Sequence, residues 1–303
     1  MATLPNEASV LPDSLVSTSW LAAHLDVPTL RVIDIRGYVR TTDLGDGKQS
    51  ADYVGAGDEY EVGHIPGASY VDWTTDIVDL DDSVKAQIAS PERFKQAMES
   101  RGIGSDSDIV VYDQTGGHFA TRLWWALRYY GHDRVAVLDG GFAKWTAEER
   151  PGSSDVSAVA PAQFHPTIRP ELRVDANDVM SSLGDAGTII IDARDEGQFS
   201  GGVQRGSRGG HIPDAAHVPA KALVETDGTW KPLKEQRKLF QDVGLRDDSR
   251  VVAYCNGGVT ATGILFALHR LGHQKFANYD GSWNEWGERE ELPVETGARP
   301  RNP

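Results

Sequence analysis

The chain has one cysteine, an excess of acidic over basic residues and no long apolar run. A single cysteine among 303 residues excludes an intramolecular disulfide, a Cys-x-x-Cys redox pair and a cysteine-rich zinc site. Lys and Arg number 30 against 45 Asp and Glu, and the resulting net charge of −15 argues against partners such as nucleic acid or an anionic membrane surface. No stretch approaches the roughly 18 apolar residues that a membrane-spanning helix needs.

The first residues also lack the features of a targeting segment. Met-Ala-Thr-Leu-Pro-Asn-Glu has neither the basic start and apolar core of a signal peptide nor the arginines of a transit peptide, so we expect a cytoplasmic protein. With 39% hydrophobic residues, a chain of 303 residues is long enough for about two packed domains.

Three short motifs occur twice, in the same order, and the spacing between them is shorter in the second half. The pairs are Ile33-Asp-Ile-Arg36 with Ile191-Asp-Ala-Arg194, Gly63-His-Ile-Pro66 with Gly210-His-Ile-Pro213, and Asp139-Gly-Gly-Phe-Ala-Lys-Trp145 with Asp280-Gly-Ser-Trp-Asn-Glu-Trp286. Chance similarity does not preserve three motifs in order. We infer an internal duplication.

The sequence of each half predicts alternating strands and helices. Apolar strand candidates cover 30–35, 109–112, 134–138, 188–192, 250–254 and 276–279. This alternation predicts an α/β fold in which a mainly parallel sheet is covered by helices on both faces. We expect an arm over 1–16, a first domain over 17–149, a Pro-rich linker over 150–171 and a second domain over 172–303, with long polar loops over 38–62 and 197–210.

The cysteine follows the predicted strand at 250–254, and from Ile264 apolar residues recur at helical spacing until Gly272. Cys255 is therefore expected at the carboxyl end of a buried strand, where open α/β sheets bind their ligands. Backbone N–H groups of the next residues and the positive end of the helix can lower the pKa of a cysteine well below its free value of about 8.5. A buried structural cysteine is the alternative interpretation.

The duplication indicates which half is catalytic. Matching Val110-Val-Tyr-Asp113 to Val252-Ala-Tyr-Cys255 puts Asp113 where the second half has its cysteine. An aspartate has no thiol. We expect the first half to be a non-catalytic partner that supplies a wall of the cleft.

Together, the motifs resemble the tandem-domain rhodanese family, sulfurtransferases that move sulfane sulfur from thiosulfate or 3-mercaptopyruvate to a thiophilic acceptor. The resemblance covers nearly the whole chain and implies two tandem rhodanese-like domains. It makes Cys255 the sulfur-carrying nucleophile. The residues of the following loop would surround the persulfide with their amides: Asn256, Gly257, Gly258, Val259 and Thr260.

The resemblance leaves the donor open. Thiosulfate enzymes of the family typically have Arg-Lys after the cysteine, and mercaptopyruvate enzymes have a serine two places after it, whereas this chain has Asn256 and Gly257. A substrate-binding arginine of the family is replaced by Gln198.

Three further residues are candidates for binding substrate. Arg208 matches an arginine often found three residues before the second histidine, with Arg205 nearby, and His64 matches a first-domain histidine given a role in the mercaptopyruvate enzymes. Arg194 is the third candidate, although a structural ion pair with the aspartate before it is the favoured interpretation. Turn structure also explains His64, and a solvated side chain also explains Arg208.

These observations predict a two-step transfer in which a Cys255 persulfide forms from a small anionic donor and passes its outer sulfur to cyanide, a thiol or a thiol protein, with no metal and no organic cofactor. Thiosulfate is the favoured donor and 3-mercaptopyruvate the alternative. A cysteine phosphatase would need an arginine near the end of the loop, and 256–262 has none. A persulfide carrier that serves only a protein partner stays open, as does, more weakly, a redox-sensing thiol without a resolving cysteine.

Overall fold

A computed structural model describes residues 9–114, 116–156 and 159–297. The chain forms two α/β halves, each built on a five-stranded parallel sheet, and a small third sheet that joins them. No helix among the described residues combines the length and the apolar character needed to cross a bilayer. Residues 1–8 of the predicted arm lie outside the described residues.

The sheet of the first half has the order β1-β7-β6-β2-β5, and all of its pairings are parallel. Its strands are β1 (Leu15–Val16), β2 (Leu30–Asp34), β5 (Ser69–Tyr70), β6 (Asp108–Tyr112) and β7 (Val135–Leu138). The helices of this half are α1 (Thr18–His24), α2 (Gly57–Val62), α3 (Pro91–Glu99), α4 (Ala120–Tyr129) and α5 (Gly141–Ala147). The Ser17 hydroxyl caps α1 by accepting from Trp20 N, as its sequence position predicts.

The second half repeats this arrangement with the strand order β11-β9-β12-β13-β8, again entirely parallel. Its strands are β8 (Arg173–Val174), β9 (Thr188–Asp192), β11 (Ala216–His217), β12 (Arg250–Tyr254) and β13 (Phe276–Tyr279). Its helices are α6 (Ala176–Ser181), α7 (Glu196–Ser200), α8 (Leu233–Asp242), α9 (Ala261–Arg270) and α10 (Ser282–Trp286), and short 3₁₀ turns cover Pro170–Leu172 and Ala220–Leu223.

Central strands are apolar throughout because helices cover both faces of each sheet. Every residue of Asp108–Tyr112 and of Thr188–Asp192 is buried, including the polar residues at the strand ends. The two halves pack through α4 and α9, where Trp124 meets Phe266 edge to face and the hydroxyls of Thr121 and Thr262 are hydrogen-bonded at 2.9 Å. One core therefore runs across the boundary between the halves.

The segment 38–62 is not the long loop expected from its polar, glycine-rich sequence. It contains most of an antiparallel hairpin of β3 (Gly37–Gly45) and β4 (Lys48–Gly55), followed by α2. The segment 197–210 is likewise more ordered than predicted, since it holds most of α7 and the two-residue strand β10 (Gln204–Arg205). β10 pairs in parallel with β4, so a strand of the second half completes a three-stranded sheet with the hairpin of the first.

Candidate active site

Cys255 follows directly after β12, the central strand of the second sheet, and a short loop carries the chain into α9. Its backbone is held from both sides, because Cys255 N donates to Ser282 Oγ at 3.1 Å and its carbonyl accepts from Trp283 N at 3.0 Å. The residue is 3% exposed. The strand-loop-helix order matches the prediction, with the helix starting at Ala261.

The carbonyl groups of the loop are tied back into the protein. Asn256 O accepts from Asn284 N at 2.7 Å, and Gly258 O accepts from Arg122 Nη1 at 3.1 Å and from Asn278 Nδ2 at 3.0 Å. By contrast, the hydrogen bonds of the described residues include none that is donated by the backbone N–H groups of 256–260. These amides are therefore available to a group held at the cysteine.

The equivalent loop of the first half already holds an anion. Asp113 follows β6, and its carboxylate accepts from the backbone N–H groups of Gly117 at 2.9 Å, Phe119 at 2.7 Å and Ala120 at 3.0 Å. Such charge-assisted bonds from successive amides form an anion-binding nest. A loop of this type, between a central strand and a helix, can thus hold negative charge with its backbone alone.

A cavity of about 370 Å³ opens onto Cys255 between the two halves. The first half supplies part of its wall, as expected from the sequence, through Val39, Thr41, Tyr53, Trp73 and His118. The second half supplies the cysteine, its loop and several polar side chains: Arg194, Asp195, Gln198, Arg205 and Lys221.

Among the arginine side chains that line this cavity, Arg205 makes the fewest hydrogen bonds. Its Nη2 reaches Gln49 Oε1 only at 3.5 Å, and its Nε is buried without a hydrogen-bond partner among the described residues. Burial lowers the pKa of Arg205, an effect partly offset by electrostatic interactions with Tyr53 and Cys255. Since an arginine stays charged in proteins, this guanidinium presents free donors to an anion in the cavity.

Arg194 lines the same cavity, but its side chain is largely committed. Its Nη2 binds Asp192 Oδ2 at 2.6 Å and the carbonyl of Gly210 at 2.7 Å, and both charged side chains are buried. The first half repeats this arrangement with Arg36, which binds Asp34 and the carbonyl of Gly63. A structural ion pair accounts for this arginine, and a contribution to substrate binding remains a prediction.

Arg208, which is predicted to bind substrate, has its guanidinium engaged with backbone carbonyls. Its nitrogens donate to the carbonyls of Trp286, Gly287, Arg289 and Leu292 at 2.6 to 3.1 Å, which ties down the chain after α10. The residue is also not among those that line the cavity. Arg208 thus supports the fold next to the site, and a contribution to substrate binding remains a prediction.

His64 is likewise engaged with backbone carbonyls, and its role in substrate binding remains a prediction. It is fully buried, its Nδ1 is bonded to Tyr60 O at 2.7 Å, and its Nε2 lies 3.2 Å from Asp155 O. His211 repeats the arrangement in the second half, with Nδ1 at 2.7 Å from Phe199 O and its ring stacked on Phe199. Both histidines stabilise their turns, and neither lines the cavity.

Two residues of the first half lie close to the loop after Cys255 without any signal in the sequence. Tyr53, on β4, accepts a hydrogen bond from Asn284 Nδ2 at 3.2 Å. Arg122, on α4, forms an ion pair with Asp280 at 2.5 Å in addition to its bond with the loop, and both side chains are 1% exposed. Only the packing of one half on the other brings these groups together.

A cysteine at the carboxyl end of a central strand, a loop that leads into a helix and a cavity between two duplicated halves agree with the sulfurtransferase class that the sequence motifs predict. The rhodanese-like domain model matches residues 17–148 and 175–289, and the chain belongs to the rhodanese family.

Full-length relatives show the same relationship. The sulfur carrier protein TtuD of Thermus thermophilus is 31% identical over 94% of this chain and 98% of its own length. A putative thiosulfate sulfurtransferase of Haloferax volcanii is 32% identical over 94% of this chain and 97% of its own length. Among solved structures, SseA from Escherichia coli, described with the 3-mercaptopyruvate sulfotransferases, superposes with a TM-score of 0.77 at 32% identity, covering 89% of this chain and 98% of its own.

Proposed function

We propose that the protein transfers sulfane sulfur from thiosulfate to a thiophilic acceptor through a persulfide on Cys255. The Cys255 thiolate forms a bond to the outer sulfur of thiosulfate, the sulfur–sulfur bond of the donor breaks, and its electron pair leaves with sulfite. No proton is taken up or released. A thiol or cyanide then attacks the outer sulfur of the persulfide. The sulfur–sulfur bond of the persulfide breaks, and its electron pair stays on Cys255, which becomes a thiolate again.

The observation that carries this proposal is the amide-bound carboxylate of Asp113. A carboxylate oxygen is two bonds away from Cβ, and so is the outer sulfur of a cysteine persulfide. The loop of the first half therefore holds an anionic atom at the same number of bonds from the backbone as the outer sulfur of a loaded Cys255. The unused amides of 256–260 offer the same kind of donors around the cysteine.

The cavity also suits a small anionic donor. Arg205 supplies free guanidinium donors, and Lys221, although paired with Asp195 at 2.6 Å, adds a second cation to the wall. These two residues lie in the second half but not beside the cysteine in sequence. They provide positive charge that the residues directly after Cys255 do not.

3-Mercaptopyruvate is the second candidate donor, because the similarity to SseA extends over almost the whole of that protein. With this donor the carbon–sulfur bond breaks, its electron pair goes to carbon, and the thiol proton ends on that carbon to give pyruvate. One guanidinium matches one carboxylate, so Arg205 serves this donor as well.

The acceptor could be a small thiol or cyanide, or a protein. The similarity to a relative named as a sulfur carrier supports a protein acceptor that collects the persulfide sulfur. In that case the persulfide would still form on Cys255, and only its discharge would need the partner.

Steady-state sulfur transfer to cyanide tests the proposal, with thiosulfate and 3-mercaptopyruvate compared in parallel. We expect turnover with thiosulfate. We expect the Cys255→Ser variant to be inactive although its unfolding midpoint equals that of the wild type. Turnover with 3-mercaptopyruvate alone would transfer the proposal to that donor. If the purified protein turns over neither donor, the proposal that it is an enzyme for small donors is wrong. Mass spectrometry of Cys255 after incubation with each donor would then show whether a stable persulfide forms for a protein acceptor.

A further inference from the structure

Tyr53 of the first half lies on the wall of the cavity that contains Cys255. Tyr53 lies on β4 of the hairpin, opposite Val39 on β3, and both residues line the cavity that contains Cys255. Its ring packs against Trp73 with ring centroids 5.1 Å apart. Two neighbours on the cavity wall therefore hold the side chain in place.

The hydrogen bonding of this hydroxyl leaves its proton available. Tyr53 Oη accepts from Asn284 Nδ2 at 3.2 Å, and among the described residues no acceptor is recorded for its O–H. A phenol has one proton to donate. That proton can therefore be directed at a group inside the cavity.

The hydroxyl also reaches the loop that follows the cysteine. A Cβ built on Gly257 would lie 3.1 Å from Tyr53 Oη and 2.9 Å from Asn284 Nδ2, so the absence of a side chain at 257 makes room for this pair. Burial raises the pKa of Tyr53, the bond from Asn284 lowers it, and the charge of Cys255 raises it further. The phenol thus stays protonated and lies within electrostatic range of the thiol.

On this basis, and resting on the proposed persulfide chemistry, we propose that Tyr53 is a catalytic residue that donates a hydrogen bond to the anionic sulfur held at Cys255. The donation stabilises the thiolate before attack and the outer sulfur of the persulfide after it. The phenol keeps its proton in both steps, so the balance of atoms and electrons in the transfer is unchanged. The non-catalytic half thereby contributes a group to the reaction itself.

The Tyr53→Phe variant tests this role, because it removes the hydroxyl and keeps the ring. Tyr38→Phe is the matched control, since Tyr38 lies on the same hairpin but directs its hydroxyl to Glu59 at the surface. The first measurement is the rate of Cys255 alkylation by iodoacetamide across pH, which has no background because the chain has no other cysteine. The second is the pH profile of sulfur transfer to cyanide.

All charged groups around the cysteine remain in place in both variants. The titratable residues that line the cavity besides Tyr53 are His118, Arg194, Asp195, Arg205 and Lys221. The Arg122–Asp280 pair lies behind the loop. Their influence on the thiol is common to wild type and variants, so a difference between the profiles reports the missing hydroxyl.

We expect Tyr53→Phe to move the midpoint of the alkylation profile up by about one pH unit, as loss of a hydrogen bond to a charged group predicts. Sulfur transfer should fall about tenfold below the wild-type midpoint and recover toward high pH, while Tyr38→Phe follows the wild type.

An alkylation midpoint that is unchanged in Tyr53→Phe would overturn the proposal, even if activity falls, because Tyr53 would then only shape the wall. If the wild type transfers sulfur from neither donor, the proposed function fails. The alkylation profile would still decide, by itself, whether Tyr53 bonds to the sulfur.

Discussion

Removing Arg122 is expected to destabilise the protein strongly, because this side chain joins the two halves inside the core. Its Nη1 binds Asp280 Oδ1 at 2.5 Å and Gly258 O at 3.1 Å, and its Nη2 donates to Ala86 O at 2.7 Å. The guanidinium also lies over the ring of Trp125, 4.6 Å from its centroid. An Arg122→Met variant keeps the apolar stem and removes the charge with all of these hydrogen bonds.

The expected loss follows from what remains around the carboxylate. Removing one partner of a buried ion pair costs about 3–5 kcal/mol, because it leaves an uncompensated charge. Here Asp280 Oδ2 still accepts from Ile88 N at 2.8 Å and lies 3.3 Å from Arg173 Nε, so we expect the lower end, about 3 kcal/mol. For a chain of 303 residues that unfolds as one unit, this corresponds to a fall of about 5 °C in the unfolding midpoint.

Lys238→Met is the matched control. Lys238 and Asp242 form an ion pair of similar length, 2.7 Å, but their side chains are 73% and 58% exposed. Exposed pairs of this kind contribute about 0.2–1 kcal/mol, so this variant should unfold close to the wild type. Urea and thermal unfolding of the three proteins, followed by circular dichroism, provide the comparison. If Arg122→Met loses no more stability than Lys238→Met, the reasoning from burial is refuted.

Three further predictions concern the site and its surroundings. Arg205→Met should raise the KM for thiosulfate about tenfold in steady-state kinetics, because it removes the least-bonded arginine of the cavity. Arg208→Met should lower the midpoint of thermal unfolding and leave this KM unchanged. The reverse pattern would contradict both assignments. Gly257→Ala should reduce sulfur transfer, since its Cβ meets atoms at 2.9 to 3.3 Å, while Gly63→Ala, with open space around it, should behave as wild type. Burial, with the charge of a neighbouring arginine, lowers the pKa of His269 from 6.5 to about 4, so its contribution to stability is complete above pH 6.5 and is lost as the pH falls through 4. His269→Leu should therefore lose less stability than the wild type over that range in urea unfolding, and parallel losses would show that His269 does not titrate as described.

The central strands could be predicted from sequence because burial on both faces leaves a continuous apolar signature. The predicted strands at 188–192, 250–254 and 276–279 match the structure at both ends, and the other three differ by one residue at one end. The paired motifs predicted two similar halves, and each motif occupies a strand end, a turn or the start of a short helix.

The hairpin at 37–55 could not be predicted in the same way, because most of its side chains are exposed. Its two strands are held by backbone pairing with each other and with β10, and that pairing requires no apolar pattern. Tyr53 was missed for this reason. A polar, glycine-rich segment in a sequence carries little information on whether a distant segment completes a sheet with it.

The candidate site shows a second limit. Arg205 and Arg208 lie three residues apart in one segment, and nothing in their spacing distinguishes a cation that faces the cavity from one that binds the carbonyls after α10. Which of the two arginines faces the cavity depends on the pairing of Arg205 with Gln49 and on where a later helix ends. The two equivalent histidines were more informative, since their presence in both halves already favoured a role in turns.

The fixed charge of Asp113 separates the roles of the two halves during turnover. Its carboxylate is part of the chain and accepts from three nearby amides, with no donor needed and no product to release. The loop after Cys255 would instead fill and empty once in each cycle. We therefore expect the first half to act as a rigid frame, and any conformational adjustment that accompanies the gain and loss of a sulfur atom to be confined to the second.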